Sequence, residues 1–582
     1  MKPFNQYFDN VSLVKLVVKY RISLASKRHD FHFFNDLRQI HLYSCPIQST
    51  KKSVDDIIFE IVPGRRSWLR IGKDRKNYKN STAQNSATLE KTIYLHKKKV
   101  AKKTTKPDEW YISLCKYFDE IRGVFKEVDT YLVGKPIIIP EKKKTGKTPE
   151  DKADKAHRPL AHFRLFRDKI LIGQAAKYLT DVIDAELCNE AAFAFRSRLE
   201  RKEGITHHDA IAKIQEFIKN NQDKNLWVAE CDIKKFYDCV NHTLAKECLS
   251  KIIARVEARS IKVDQKAIKI FNAYLGAYAF NIDVEPLNTI QENIDRNIEF
   301  GWERDNLIKA FYAEGITDRI GVPQGGAISC LIANIMMDEV DREVLQIEKR
   351  PDENLLYVRY CDDMVIIHTE ESGCNAALQR YQEALKKVKL LCHPPIAVNS
   401  YGKDYFEAKS KLPYRLSEVE EGVFSAPWLA FVGYQVKYNG DIRIRKKSLA
   451  KELEKQNLIV HKAIKAIRYK DKKDLQKNAR RSAGQIKFRV EQRLISMSVG
   501  RVCLYNYSKN RLPQLSWTVG FKKLNKNSII EKQLRQLDRN RTKNLKKLSQ
   551  KLRGLKIDNN GKPVDEGYFG SPFSYHNFIL HK

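Results

Sequence analysis

The sequence lacks the cysteine spacing of a metal or redox motif. It contains 11 cysteines, yet no two of them form a C-x-x-C pair. Zinc ribbons, zinc fingers and thioredoxin-like motifs depend on such pairs, so the absence argues against all three classes. We expect the cysteines to be reduced and mostly to pack in the interior.

Long apolar runs are also missing. No stretch of the sequence approaches the roughly 18 consecutive apolar residues that a membrane-spanning helix needs. The N-terminal stretch mixes charged and apolar side chains and has no apolar core followed by a cleavage site, so we expect no secretory signal. These absences predict a cytoplasmic protein without a membrane partner.

Acidic residues are few relative to basic ones. The 582-residue chain has 71 Asp and Glu against 107 Lys and Arg, a formal charge of +36. Such an excess indicates a polyanionic partner, and its spread along the whole chain favours nucleic acid over a membrane surface. Composition alone does not separate a nucleic-acid enzyme from a passive binder. At about 150 residues per domain, the length predicts two to four domains.

Two adjacent aspartates, Asp362 and Asp363, interrupt the apolar stretch LLYVRYCDDMVII, which runs from Leu355 to Ile367. The flanking apolar runs predict a buried β-hairpin with the aspartates at its tip. Adjacent carboxylates repel each other and are costly unless a cation lies between them. The pair therefore indicates a Mg²⁺ site completed by substrate phosphate oxygens. An ordinary Asp-Asp turn is the alternative for this motif alone.

A third carboxylate, Asp232, ends the apolar strand predicted at residues 226–233, and a helix is predicted to begin near Asn241. A metal-dependent polymerase needs such a carboxylate from a neighbouring strand, and the backbone carbonyl of Ile233 is a further candidate ligand. Two Mg²⁺ ions about 4 Å apart can activate a 3′-hydroxyl and stabilise the leaving pyrophosphate. Five residues after Asp232, the ring of Tyr237 could exclude a 2′-hydroxyl and so select deoxynucleotides.

A glycine-rich turn is predicted at residues 321–326, followed by a helix over residues 327–341. Gly325 and Gly326 would let the backbone approach a base pair or a phosphate closely. Gln324 could offer hydrogen bonds to a nucleotide. Taken alone, this motif is equally typical of a turn that leads into a helix.

The three motifs together, DIKKFYD, VPQGGAIS and YCDD in this order, resemble the reverse transcriptase family. The resemblance covers roughly residues 130–450 and is to the bacterial branch with group II intron, retron and phage-defence enzymes. It implies an α+β right-hand fold of fingers, palm and thumb. It also implies RNA-templated DNA synthesis from dNTPs on two Mg²⁺ ions, for which Mn²⁺ is an alternative.

The resemblance assigns roles at the centre of the site. It implies that Asp232, Asp362 and Asp363 are the metal ligands and that Tyr237 is the steric gate. It places Gln324 and the glycines after it in the nucleotide-binding turn.

The resemblance also reaches residues around this centre. Arg158, Arg167 and Lys169 match basic finger residues near the triphosphate or template, with contact to the template backbone as the alternative. Gly433 in FVGY matches the primer grip, and Lys403 is a candidate general acid for pyrophosphate, with Lys409 competing. AFAFR resembles an aromatic-Gly-Phe-Arg element, but Ala194 stands in place of its glycine, which puts a template contact by Arg196 in doubt.

Apolar spacing predicts further elements outside the motifs. A β-hairpin is predicted from strands at 137–139 and 160–163, and a second one around the Asn439-Gly440 pair. A helix is predicted from Asp168 with its apolar face at Ile172, Ala176, Leu179, Ile183 and Leu187. Another is predicted to begin with a Ser528–Glu531 capping box and to end at Gly554, with the apolar stripe Ile530, Leu534, Leu537, Leu545, Leu548 and Leu552.

The predicted domain organisation has three parts. Residues 1–106 form an N-terminal extension whose basic end, 94–107, is expected to be an exposed, flexible segment, either a solvated linker or a nucleic-acid contact. Residues 107–440 form the fingers and palm, with an insertion at about 251–316. Residues 441–582 form a basic α-helical thumb and C-terminal region.

The C-terminal region narrows the family resemblance. It carries no Cys/His endonuclease signature and no second acidic cluster for an attached RNase H, which weakens a mobile-intron assignment. The basic helical tail resembles defence-associated, "unknown group" and abortive-infection reverse transcriptases, which implies a dedicated noncoding RNA template. An intron maturase and a template-independent or protein-primed polymerase, using Tyr568 or Tyr575, are the alternatives. A homo-oligomer or an accessory protein is left open.

Overall fold

The computed structural model describes most of the chain. The described residues are 2–37, 54–69, 81–131, 133–142, 156–197, 205–301, 306–313, 318–348, 352–418, 424–468, 483–499, 517–525 and 527–553. None of the helices in these ranges is both long and apolar enough to cross a membrane.

Helices and strands are both well represented, as the α+β prediction requires. The helices are α1 (Asn10–Leu37), α2 (Val54–Glu60), α3 (Ser81–Ala101), α4 (Glu109–Lys126), α5 (Phe166–Ile183), α6 (His207–Asn220), α7 (Phe236–Cys239), α8 (His242–Ala258), α9 (Gln265–Gly276), α10 (Gln291–Asp295), α11 (Asn306–Ala313), α12 (Ala327–Leu345), α13 (Glu371–Lys387), α14 (Lys403–Glu407), α15 (Lys446–Arg468), α16 (Ala483–Val499) and α17 (Ser528–Arg553). The strands are β1 (Ile137–Lys142), β2 (Ala156–His162), β3 (Trp227–Cys231), β4 (Glu299–Phe300), β5 (Leu355–Tyr360), β6 (Asp363–His368), β7 (Lys411–Arg415), β8 (Trp428–Phe431), β9 (Tyr434–Lys437) and β10 (Ile442–Ile444).

The chain divides into two compact units. The first contains Met1–Leu13, Phe118–Val432 and Val436–Asp441, and the second contains Val14–Tyr117, Gly433–Gln435 and Ile442–Lys582. These units are defined by how densely their residues contact one another. The predicted boundaries after residues 106 and 440 separate regions by expected function, so they stay a prediction.

A four-stranded sheet in the order β5-β6-β3-β7 is the centre of the first unit. The predicted hairpin is confirmed: β5 and β6 are antiparallel, and Tyr360 pairs with Asp363. Cys361 and Asp362 therefore form a two-residue loop. Cys361 has a φ of 63°, a left-handed conformation that costs an L-residue roughly 1–2 kcal/mol. The turn that carries Asp362 is thus strained and needs support from its surroundings.

Buried helices cover this sheet. Helix α13 packs on β3, β6 and β7, and α12 packs against α5, α8 and α13. The predicted apolar face of α12 is confirmed, since Ile328, Ile332, Ile335 and Met336 are all fully buried. Helix α8 begins where predicted, because the Asn241 side chain caps it by accepting a hydrogen bond from the Leu244 amide at 3.0 Å.

The predicted hairpin at residues 137–163 is also confirmed. Strands β1 and β2 pair antiparallel with Ile137 opposite His162, and β4 adds to β2 in parallel. The predicted apolar face of α5 is buried, although the helix ends at Ile183 and Leu187 follows a short 3₁₀ turn.

Three helices of the second unit, α15, α16 and α17, share an apolar core that includes Val460, Val490 and Leu545. The predicted stripe of α17 is confirmed, since all six of its residues are buried. The predicted capping box is wrong by one residue. The side chain of Asn527, rather than Ser528, accepts the hydrogen bond from the Ile530 amide at 2.8 Å. Gly554, the predicted end of this helix, lies outside the described residues.

The basic stretch at 94–107 is ordered rather than flexible over much of its length. Helix α3 continues to Ala101. The Lys103 amide then donates to the Val100 carbonyl at 2.9 Å, and the Thr104 amide donates to the Lys99 carbonyl at 3.0 Å. These two bonds form a Schellman motif, with Lys103 at the left-handed position (φ of 55°) that usually holds glycine. The lysines there are exposed on a defined helix end.

A buried ion pair fixes the β5–β6 hairpin to α12. Arg359 on β5 and Asp341 on α12 have side-chain exposures of only 1% and 0%. The guanidinium donates to both carboxylate oxygens of Asp341, from Nε at 2.9 Å and from Nη2 at 2.7 Å. Its Nη1 also donates to the Cys361 carbonyl at 3.1 Å, and the Tyr357 hydroxyl donates to Asp341 at 2.9 Å. Arg359 therefore connects the helix to the strained turn directly.

We predict that Arg359→Met destabilises the sheet by about 3–5 kcal/mol, because it leaves the Asp341 carboxylate buried without its partner. Hydrogen exchange of the β5 and β6 amides in the native protein measures this loss within the first unit. Replacing both partners, as Arg359→Met with Asp341→Leu, should recover part of it.

Glu339→Gln is the matched control, because Glu339 lies on the same helix in an exposed pair with Lys251 at 3.1 Å. It should cost less than about 1 kcal/mol. Equal losses in the two single variants would contradict a special role for the buried pair.

Candidate active site

The fold brings the predicted carboxylates to one end of the central sheet. Asp232 directly follows β3, Asp362 lies in the β5–β6 turn, and Asp363 is the first residue of β6. Cys231 pairs with Met364 in the antiparallel register. The next position therefore places Asp232 opposite Asp363, with both side chains on the same face of the sheet.

The charges of Asp232 and Asp362 repel each other. The pKa of the Asp232 carboxyl is raised, first because burial disfavours its charged form and also because the Asp362 charge is close. The ammonium of Lys409 acts in the opposite direction and lowers it. Two like charges in a partly buried position are the arrangement that a bound cation would relieve.

The donor set fits a Mg²⁺ ion that takes few protein ligands. Within the described ranges, no three His, Cys, Asp or Glu side chains converge closely enough to enclose a metal ion. Mg²⁺ usually takes one or two carboxylates and completes its shell with water and substrate phosphate oxygens. Asp232 and Asp362 are suited to that role, and the assignment of all three aspartates as ligands stays a prediction.

The backbone at Ile233 has the orientation that a carbonyl ligand requires. The Lys234 amide donates to the Leu391 carbonyl at 2.7 Å, and the His393 amide donates to the Asp232 carbonyl at 2.8 Å. These two bonds flank an antiparallel bridge between Ile233 and Cys392. In an antiparallel pair of this kind, the backbone N–H and C=O of Ile233 point away from the strand that carries Cys392. The Ile233 carbonyl is therefore directed towards the β6 side, where the aspartates lie.

Tyr237 lies against the β5–β6 turn. Its hydroxyl is 3.2 Å from Sγ of Cys361, and its backbone carbonyl accepts a hydrogen bond from the Val322 amide at 2.7 Å. Burial and the neighbouring Cys361 raise the pKa of this hydroxyl, so it stays protonated. A ring fixed between the turn and the glycine-rich segment has the position that a gate beside the sugar would need.

The glycine-rich segment is held close to Tyr237. The Gln324 amide donates to Oδ1 of Asp238 at 3.0 Å. Gly325 has a φ of 82°, and an added Cβ would meet nothing within 4 Å, so the backbone there borders open space. At Gly326 an added Cβ would lie 1.9 Å from the Tyr274 hydroxyl. The first glycine thus leaves room for a ligand, and the second is required by packing.

The two candidate general acids differ in their surroundings. Nζ of Lys409 is 3.1 Å from Nε2 of His393, and that imidazole nitrogen is 3.9 Å from Oδ2 of Asp232. Lys403 instead faces Glu407 on its own helix at 3.9 Å. The geometry therefore favours Lys409 over Lys403.

The predicted basic finger residues lie on the β1–β2 hairpin and the start of α5. Arg158 is exposed on β2 opposite Glu141. Arg167 donates to Glu120 at 3.4 Å, and Lys169 lies in the first turns of α5. Their contact with a triphosphate or a template stays a prediction.

The remaining predicted positions have local structural explanations. Arg196 is buried and donates to Asp184 at 2.8 Å and to the Ala192 carbonyl at 3.1 Å, so its guanidinium holds the chain together here. Gly433, with a φ of 91°, follows Val432, with a φ of 34°, in the turn between β8 and β9. Its assignment to a primer grip is untested. Tyr568 and Tyr575 lie outside the described residues.

Two contacts near the candidate site were not predicted from the motifs: His393 with Asp232, and Arg359 with Asp341. His393 lies beside Asp232 only because its segment pairs with the end of β3, and its sequence neighbours give no sign of this. Arg359 did carry a signal, since a charged residue within an apolar strand requires a buried partner. Asp341, on the preceding helix, is that partner.

Comparison with known proteins identifies the central domain. Residues 143–394 match the family model described as reverse transcriptase (RNA-dependent DNA polymerase). That range contains Asp232, Tyr237, Gln324, Asp362 and Asp363. No curated protein sequence matches the chain.

Solved structures with some likeness include yeast telomerases. Truncated apo telomerase from Candida tropicalis is 12% identical, with a TM-score of 0.32, over 56% of this chain and 59% of that one. This chain thus spans about three fifths of that telomerase. Telomerase from Candida albicans in complex with a fragment of telomeric RNA is 10% identical, with a TM-score of 0.32, over 86% and 79%. Likeness at this level carries no functional argument.

The family model, by contrast, covers β3, the β5–β6 hairpin and the glycine-rich segment in one continuous range. The predicted right-hand polymerase fold is confirmed. In residues 143–394, this chain carries the domain of an RNA-directed DNA polymerase, a nucleotidyltransferase enzyme.

Proposed function

We propose that this protein copies an RNA template into DNA by two-metal nucleotidyl transfer from dNTPs. The observation that carries the proposal is the β3–β6 register, whose last pair joins Cys231 and Met364, the chain neighbours of Asp232 and Asp363, within the matched domain. Carboxylates from two strands that meet at one sheet end suit an ion shared with substrate phosphates.

Each residue has a distinct task in this proposal. Asp232, Asp362 and Asp363, with the Ile233 carbonyl, hold two Mg²⁺ ions, for which Mn²⁺ is a substitute. When bound, the ions lower the pKa of the primer hydroxyl and stabilise the developing pyrophosphate charge. The Tyr237 ring limits space at the sugar, and Gln324 and Gly325 border the nucleotide. Arg158, Arg167 and Lys169 neutralise the triphosphate or the template, and Gly433 supports the primer strand.

Proton transfer to the leaving pyrophosphate is the task of Lys409 in this proposal, replacing Lys403. Its ammonium is a donor within reach of the Asp232 neighbourhood through His393. A general acid must lie near the group that it protonates, and of the two lysines Lys409 meets this requirement.

The biological setting is a finer part of the proposal. We infer that the enzyme acts in the cytoplasm in bacterial antiphage defence, with a dedicated noncoding RNA as template. The support is the resemblance of the motifs to the bacterial branch and of the basic helical tail to defence-associated enzymes. In the described part of that tail, α15, α16 and α17 are helical as this resemblance implies.

Asp362→Asn should reduce dNTP incorporation on an RNA template by roughly a hundredfold or more, because it removes a charged metal ligand while keeping the side-chain size. Primer extension with Mg²⁺ measures the rate, and fluorescence anisotropy checks that RNA binding is retained. Asp404→Asn, at an exposed carboxylate of α14, is the control and should extend primers normally. Comparable activity in the two variants would rule out the catalytic assignment.

In cells, undiminished phage protection by a variant with both Asp362 and Asp363 changed to alanine would rule out defence by DNA synthesis.

Tyr237→Val should allow the polymerase to incorporate ribonucleotides. We expect the ratio of kcat/KM for dNTP over rNTP to fall by at least about tenfold, since a smaller side chain leaves room for the 2′-hydroxyl. Tyr237→Phe is the matched control, because it removes only the hydroxyl that meets Cys361 and should keep the discrimination. If the phenylalanine variant lost discrimination to the same extent, the hydroxyl contact rather than the ring would be the determinant.

Lys409→Ala should lower kcat by about a hundredfold, the lower end of what general acids contribute, whereas Lys403→Ala should stay within about twofold. Lys409→Arg separates two roles of this lysine. Arginine keeps the positive charge near Asp232 but is a poor proton donor, so kcat should remain low. Full activity of Lys409→Arg would assign the residue a purely electrostatic role.

A further inference from the structure

The end of α3 presents a basic stripe that lies outside the matched domain. Lys91, Tyr94, Lys98 and Lys102 follow each other at steps of 3, 4 and 4 residues and are all exposed. On a helix this spacing places them on one face. From Lys91 to Lys106 the chain carries seven lysines and no acidic residue.

The stripe is preorganised. The Schellman bonds from Lys103 and Thr104 end the helix at a fixed point, so Lys98 and Lys102 are held on a defined surface rather than on a loose tail. Positive charge at a helix C-terminus is also favourable, because it meets the negative end of the helix dipole.

One exposed aromatic ring lies among these lysines. The Tyr94 side chain is 62% exposed, although a tyrosine gains stability from burial. His96 is two residues from both Tyr94 and Lys98 and so faces away from the stripe. Its ring packs on Trp110 with centroids 4.8 Å apart, and those of Trp110 and Tyr111 are 5.6 Å apart, so this group connects the other side of α3 to the start of α4. Asp108 holds this group in place, since it accepts a hydrogen bond from Nε1 of Trp110 at 3.0 Å.

We propose that this surface, the α3 stripe of Lys91, Tyr94, Lys98 and Lys102, is a binding site for single-stranded nucleic acid, distinct from the polymerase centre. Lysines at a spacing of one helical turn neutralise a phosphate backbone, and exposed rings stack on unpaired bases. A duplex buries its base faces and would leave Tyr94 without a stacking partner. A lipid surface would need more apolar area than this stripe offers, because every member other than Tyr94 is a lysine.

The test is binding of a fluorescent single-stranded RNA to the full chain in EDTA, which prevents synthesis. Replacing Lys91, Lys98, Lys102 and Lys106 with glutamine should weaken binding and reduce the slope of log K against log salt by roughly 2–3, at about 0.7 per lost phosphate contact. Tyr94→Ala should weaken binding roughly fivefold or more, while Tyr94→Phe keeps the stacking ring and should bind normally.

The control removes the same charge from exposed helix and loop positions of the first unit, with glutamine at Lys219, Lys224, Lys246 and Lys262. An equal change in slope for both quadruple variants would show non-specific charge alone and overturn the site. Equal losses for a duplex probe, or an effect confined to anionic phosphatidylserine vesicles, would overturn the single-strand assignment.

Cross-linking and activity complete the test. RNA that contains 4-thiouridine should cross-link to peptides within residues 91–112, and a cross-link map without this segment would overturn the proposal. Primer extension on a short preannealed template should be unchanged in the α3 variants. This outcome separates a failure of the surface from a failure of the polymerase centre, because the aspartate variants lose extension and keep the α3 site.

Discussion

The buried contact between Arg359 and Asp341 is the constraint on which the β5–β6 hairpin depends. A two-residue turn with Cys361 in the left-handed region is unfavourable for a residue with a side chain. The guanidinium offsets this cost by donating to the Cys361 carbonyl while both carboxylate oxygens of Asp341 hold it in place. Because the same arginine also pairs through its backbone with Ala191 and Phe193, hairpin, helix and the chain after α5 share one fixed point. The position of Asp362 follows from that point.

The electrostatics of the site then explain why rigidity is needed. The charge of Asp362 disfavours ionisation of Asp232, and a flexible turn would let the two carboxylates separate. Held in place, they keep a negative field at the sheet end that a divalent cation and a triphosphate can complete. The positive charge of Lys409 lowers the pKa of the Asp232 carboxyl, but that pKa remains above its usual value. In the proposed mechanism this fixed repulsion between carboxylates favours binding of a metal ion. The Arg359–Asp341 ion pair maintains it by holding the turn in place.

Features set by local patterns could be predicted from the sequence. The apolar runs around Asp362, the strand before Asp232 and the stripe of α17 follow from periodicity, and all are present. Contacts between distant segments were not predictable. His393 reaches Asp232 through an isolated bridge, and the ranking of Lys409 over Lys403 depends on it. The ends of two helices could not be predicted for a different reason. Asn527 and Ser528 are both favourable N-cap residues, so the start of α17 was ambiguous by one position. At the end of α3, Lys103 occupies the left-handed position in which a glycine would have indicated a helix C-terminus.

The distribution of charge connects the fold with its partner. Two of the buried arginines are paired with carboxylates: Arg359 with Asp341, and Arg196 with Asp184. Such pairs add nothing to the net charge. The excess of +36 must therefore reside largely on exposed side chains such as the lysines of α3. A folded protein gains no stability from unpaired surface lysines, and their mutual repulsion costs some. An excess of this size is consistent with a surface whose counter-charge comes from a bound polyanion, such as the nucleic acid of the proposed function.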